Sequence, residues 1–150
     1  MAPDRIYRPI PGEATACVEL AALSITPYWA RRHAHAVLGA WQIDPETIEV
    51  AVLLVSELVT NAIAATAAMA ERNAGTDSPA QVVLTLYHQP DRIMIEMYDP
   101  DPSPPVLAEA GTDAETRRGL MLVQALSKEW SCSCLPSGGK VVCSVIGADT

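Results

Sequence analysis

The sequence predicts a two-layer α+β sandwich, one mixed or antiparallel sheet of four or five strands with three helices on one face. Three observations predict it. Gln81 to Tyr87 and Arg92 to Asp99 alternate apolar and polar residues strictly on either side of a short turn, the signature of a β-hairpin. Val50 to Ala70 (VAVLLVSELVTNAIAATAAMA) is long and apolar at helical spacing, the body of a layer helix. Finally, a short apolar helix pattern, Leu120 to Lys128, leads into two more strand-like runs around a glycine turn.

The elements follow in order. Residues 1–12 carry three prolines and no periodicity and are expected to form a loose arm, leaving 13–148 as a single domain. Ala14 to Leu23 (ATACVELAAL) is expected to be an edge strand. Ser24 to Trp41 is expected to be a helix, capped by Ser24, with Pro27 in its first turn and Gly39 near its end. His33 and His35 have no acidic or cysteine neighbours at ligand spacing and read as ordinary helix residues. Asp44 caps the next helix, and Glu46 and Glu49 meet the positive end of its dipole.

That helix carries the first candidate site. Glu57 and Asn61 lie four residues apart and therefore one above the other, with Ser56 and Thr60 beside them at the same spacing. Two readings exist for this stripe: a solvated face, or a cradle in which the amide oxygen ligates a hard cation and the carboxylate orients a nucleophile. A solvated face usually carries charges of both signs, whereas here one carboxylate stands alone before Arg72.

On the second hairpin strand, Ile93, Ile95, Met97 and Asp99 share a face. Asp99 is either the first turn residue or a carboxylate aimed inward, placed to accept a hydrogen bond from a buried amino group. From Pro100 to Arg118 four prolines and a glycine predict a nineteen-residue loop of the kind that serves as a lid. The loop ends at Arg117, Arg118 and Gly119. A glycine opening a helix, beside arginines and before Leu120, leaves backbone N–H groups free to receive phosphate. The strands Glu129 to Leu135 and Lys140 to Ile146 then flank a turn of Pro136, Ser137, Gly138 and Gly139.

Composition excludes some functions. A net charge of -8 with pI near 4.7, and basic residues not gathered into a patch, argue against nucleic acid as the main ligand. Charges at Asp4, Arg5 and Arg8 and polar interruptions in the long helix argue against a signal peptide or a membrane span, so a cytoplasmic protein is expected. The four cysteines lack paired zinc spacing. A turn at 136–139 would set Cys132 opposite Cys143, within reach of a bridge, although free thiols are the expected state in a reducing compartment.

In order along the chain, these residues resemble the four motifs of the GHKL, or Bergerat-fold, ATPases. Glu57, Leu58, Val59, Thr60, Asn61 and Ala62 match the Glu-x-x-x-Asn-Ala motif, Asp99 the adenine-binding aspartate, Gly119 with Leu120 the phosphate glycine, and Gly138 with Gly139 the last glycine turn. The phrases SELVTNA, Asp99-x-x-Pro102-x-x-Pro105, RRGLMLV and PSGGK are similar to the small bacterial anti-sigma-factor serine kinases, over Ser24 to Ile146. The resemblance implies ATP with Mg²⁺ as cofactors, Asn61 as the metal ligand and Glu57 as the catalytic base. It places Asp99, Arg118, Gly119, Leu120 and Gly139 around the nucleotide. It also implies a homodimer that binds a sigma factor, or phosphorylates a serine on an anti-sigma-factor antagonist; the alternative is a regulatory binding module without kinase activity. Asp101, Ser103, Ala65, Arg117 and Val141 depart from the family pattern: the first two replace lid glycines, and Ala65 replaces a basic or histidine residue.

Overall fold

The computed structural model describes residues 11–72, 80–103 and 114–148, with side chains described for 11–70, 80–103 and 119–148. Eight elements follow one another: β1 (Ala14–Ala21), α1 (Thr26–Ala40), α2 (Pro45–Arg72), β2 (Gln81–Gln89), β3 (Arg92–Asp99), α3 (Ala114–Leu126), β4 (Glu129–Cys134) and β5 (Lys140–Gly147). The strands form one antiparallel sheet in the order β1-β2-β3-β5-β4, so the ATACVEL segment is an edge strand, as its sequence predicts. The N-terminal arm, except for its last two residues, lies outside the described residues.

The core sits between α2 and the inward face of the sheet. Ala51, Leu54, Val55, Leu58, Val59 and Ala62 of α2 meet Leu84, Leu86, Ile93, Ile95 and Met97, all at or below 2% exposure. By length and hydropathy α2 would also pass for a membrane span, yet this fold uses it as the central helix of the sandwich. Asp44 caps it as expected: the Thr47 hydroxyl donates to Asp44 Oδ1 at 2.6 Å and the Thr47 backbone N–H to Oδ2 at 3.0 Å, and these bonds hold the Asp44 carboxyl below its ordinary range. The other cap differs. Helix α1 begins after Ile25, and Thr26, not Ser24, accepts the Leu23 N–H at 3.1 Å and donates back to the Ala21 carbonyl. The Thr26 hydroxyl ties the helix entrance back to the end of β1, and no side chain caps α1.

Three further expectations are corrected. The first hairpin turn consists only of Pro90 and Asp91, because β2 runs on to Gln89, where its side chain accepts a hydrogen bond from Arg92. Strand β3 is buried on both faces, since Tyr87, Met94 and Val145 form a second cluster on the reverse of the sheet, where the Tyr87 hydroxyl donates to Glu96 at 3.0 Å. In the last hairpin the register pairs Cys134 with Lys140 and Ser131 with Cys143, one residue offset from a four-residue turn. Leu135 belongs to the turn: its N–H donates to the Gly139 carbonyl, and the Gly138 N–H donates back to Leu135. The offset turns Cys132 toward the main core and Cys143 toward the reverse cluster, and all four cysteines are free.

Candidate functional site

Two elements bring the candidate residues together, and the sequence explains both. On α2 the polar stripe divides. Ser56 accepts from Arg31 of α1 at 3.1 Å, and Thr60 donates to the Ser56 carbonyl, so these two serve the α1 side and the helix itself. One position along, Glu57 and Asn61 face α3. A Cβ added at Gly119 would lie 2.4 Å from Glu57 Oε2 and 3.7 Å from Asn61 Oδ1, so only a glycine lets the α3 backbone come this close. This placement also corrects the sequence reading of Gly119. The helix opens at Ala114, and Gly119 lies within it, packed on the acid and the amide instead of presenting a free N-terminal N–H. Ala114 and Glu115 are good helix formers, and the helix extends backward from the glycine through them. The side chain of Arg118, and the loop at 104–113, lie outside the described residues.

Asn61 Nδ2 is buried with no hydrogen-bond partner among the described residues. Burying an amide end without a partner costs free energy, so this group is poised to gain from a ligand that supplies one. Glu57 is half-buried and likewise makes no hydrogen bond or ion pair among the described residues.

The strand end of the site is built differently. Asp99 closes β3, is 2% exposed and points inward in phase with Ile93, Ile95 and Met97, as its parity predicts. Opposite it in register stands Lys140, the first residue of β5, also buried. Lys140 Nζ lies 3.0 Å from Asp99 Oδ1 and donates to the Asp101 carbonyl at 2.9 Å. The Asp101 N–H also donates to Asp99 Oδ1, at 2.9 Å, and the Ser103 N–H donates to Asp101 Oδ1 at 3.0 Å. Asp99 and Asp101 therefore form two successive Asx turns, and the residues that replace the family's glycines tie the start of the loop to the strand. Burial pushes the Asp99 carboxyl up to about 6, and the Lys140 ammonium beside it pulls the other way. Gly139 makes this closeness possible. Its φ is +80°, and a Cβ there would lie 2.6 Å from the Asp99 carbonyl oxygen and 2.7 Å from the Tyr98 ring.

A cavity of about 230 Å³ joins the two ends, with Asn61 at one end, Asp99 and Lys140 at the other, and apolar walls that include Leu58, Met97 and Leu120. Glu57 sits beside it, covered by Gly119, and is not part of the lining. The structure thus brings Asn61, Asp99 and Leu120 onto one cavity, holds Glu57 and Gly119 at its edge, and puts Gly139 behind Asp99. The residue missed in the sequence is Lys140, although its parity with Val142 and Ile146 was a sign that it turns inward.

None of the curated proteins compared with the chain matches it. The histidine kinase-like ATPase domain family matches residues 21–145, which spans every element from the end of β1 to β5. The chain belongs to the histidine kinase-like ATPase domain family, and so to a family of ATP-binding domains.

Proposed function

We propose that the protein is an ATP-dependent regulator of the anti-sigma-factor type, which transfers phosphate to a serine of an anti-sigma-factor antagonist and sequesters a sigma factor. The cavity that runs from the unpartnered Asn61 amide to the Asp99 carboxylate carries this reading. Asp99 Oδ1 is occupied by Lys140 and Asp101, which leaves Oδ2 to accept the exocyclic amine of adenine. Apolar walls at Leu58, Met97 and Leu120 suit the flat base, and the triphosphate points toward Asn61.

The donor set also fits Mg²⁺. Among the described residues no group of three or more acids, histidines or cysteines could hold a metal alone, and Mg²⁺ characteristically takes one or two protein oxygens and completes its shell with phosphate and water. Asn61 Oδ1 is that protein oxygen, and the ion, when bound, neutralises charge on the phosphates. Glu57, one helical turn away and without a hydrogen bond or ion pair among the described residues, takes the proton from the attacking serine hydroxyl. Gly119 contributes from α3 by letting the helix backbone close on Glu57.

Titrating the protein with ATP, with and without Mg²⁺, tests the reading. Binding strengthened by Mg²⁺ and lost in Asp99→Asn is expected; undetectable binding, or binding indifferent to Asp99→Asn, overturns it. A pull-down from the native cell extract with and without ATP identifies the partner. With that partner, Glu57→Ala should bind ATP yet transfer no phosphate. ATP binding without transfer by the wild type leaves the protein as a nucleotide-responsive binding module.

A further inference from the structure

Among the described residues, the Lys140 ammonium is the one cationic group in the cavity, and neither adenine binding by Asp99 nor phosphate transfer by Glu57 requires it. It has three N–H donors, of which the Asp99 carboxylate and the Asp101 carbonyl take two. Lys140 and Asp99 both line the cavity, and apart from Asn61, Asp101 and Ser103 the remaining lining is apolar. The head of the cavity therefore offers an acceptor and a donor side by side.

Resting on the nucleotide reading above, we propose that Lys140 determines base specificity, so that the cavity accepts 6-oxopurine nucleotides as well as adenine nucleotides. A lone carboxylate presents only acceptors. It welcomes the N6 amine of adenine and repels the O6 carbonyl of a 6-oxopurine, whose lone pairs would face it unpaired. With Lys140 beside it, the ammonium donates to O6 while the carboxylate accepts the ring N1–H. Adenine needs only the carboxylate, which accepts from the N6 amine. Both edges are satisfied, and the discrimination a carboxylate alone would impose is lost. Neighbouring groups keep the ammonium in place. Asp99 is held by the Asp101 N–H, Asp101 is held by the Ser103 N–H, and Gly139 fixes the backbone that presents Lys140.

Competitive titration of the full chain with ATP and ITP in the presence of Mg²⁺ tests this. ITP should bind within about tenfold of ATP, and Lys140→Met should weaken ITP relative to ATP by at least about tenfold, the size of one charged hydrogen bond in a buried site. If ATP binds and ITP is weaker by more than tenfold in the wild type, the specificity proposal falls while the nucleotide reading stands. If neither nucleotide binds, the nucleotide reading falls and takes the proposal with it. An unchanged ITP-to-ATP ratio in folded Lys140→Met also overturns the proposal; should that variant not fold, the wild-type ratio decides.

Discussion

The two ends of the cavity are built on opposite plans. At the strand end every strong group is engaged: Asp99 has Lys140 and the Asp101 N–H, and Lys140 has two acceptors. At the helix end Asn61 keeps a buried amide nitrogen without a partner among the described residues, and Glu57 packs against Gly119 with no hydrogen bond or ion pair among them. A paired, buried cluster fixes a geometry, whereas an unpaired group gives up stability that a ligand can restore. Under the function proposed above, the engaged end holds the base and the open end waits for the reacting atoms.

Mutations can break that contrast, starting with the largest effect. Lys140→Met removes one partner of a buried pair and strands the Asp99 carboxylate, so chemical denaturation should show a loss of about 3–5 kcal/mol. Asp99→Asn with Lys140→Met should recover part of that loss, because neither member of the pair then carries a charge. Gly139→Ala should cost about 2–4 kcal/mol, from a left-handed φ and an overlap with the Asp99 carbonyl that backbone cannot easily relieve. Gly119→Ala should behave differently, although its Cβ makes the closest approach. The atom it meets is the end of the Glu57 side chain, which can swing aside, and alanine is the better helix former by about 1 kcal/mol. Melting should therefore change little while phosphate transfer falls, because Glu57 has been displaced. Asn61→Ala should have the smallest effect on stability, within about 1 kcal/mol of wild type, since it removes an unsatisfied group; Mg²⁺-dependent nucleotide binding should nevertheless weaken.

Acidity sharpens the comparison. The folded-state pKa of Asp99, about 6, lies above its ordinary value of 3.8, so its contribution to stability is fully present below 3.8 and is lost as pH rises through about 6. Asp44 has the opposite sign: its lowered pKa gives a contribution that is present above the ordinary value and lost as pH falls. Nucleotide affinity should therefore decline as pH drops below about 6 and Asp99 loses its charge. In Asp99→Asn any residual binding should show no such step, which a pH series of titrations would reveal.

Periodicity carried much of this into the sequence, and its failures have physical causes. The four-residue spacing of Glu57 and Asn61 and the two-residue parity of Asp99 survive folding because they depend only on helix and strand geometry. The start of α3 was obscured because four prolines and Gly111 dominate the stretch before it, while the helix formers that follow carry no apolar stripe. Lys140 escaped because a lysine beginning a strand is ordinarily solvated, and only the register with β3 reveals the carboxylate waiting opposite. The cysteine geometry failed on one residue of turn length, which reverses every side chain beyond it.

The strand order has a temporal consequence. Strand β5 follows every other described element along the chain, yet it inserts between β3 and β4, and among the described residues it alone brings a cation to Asp99. Until β5 is made, the Asp99 carboxylate lacks that cation, so the paired head of the cavity is completed only when the closing hairpin docks against β3.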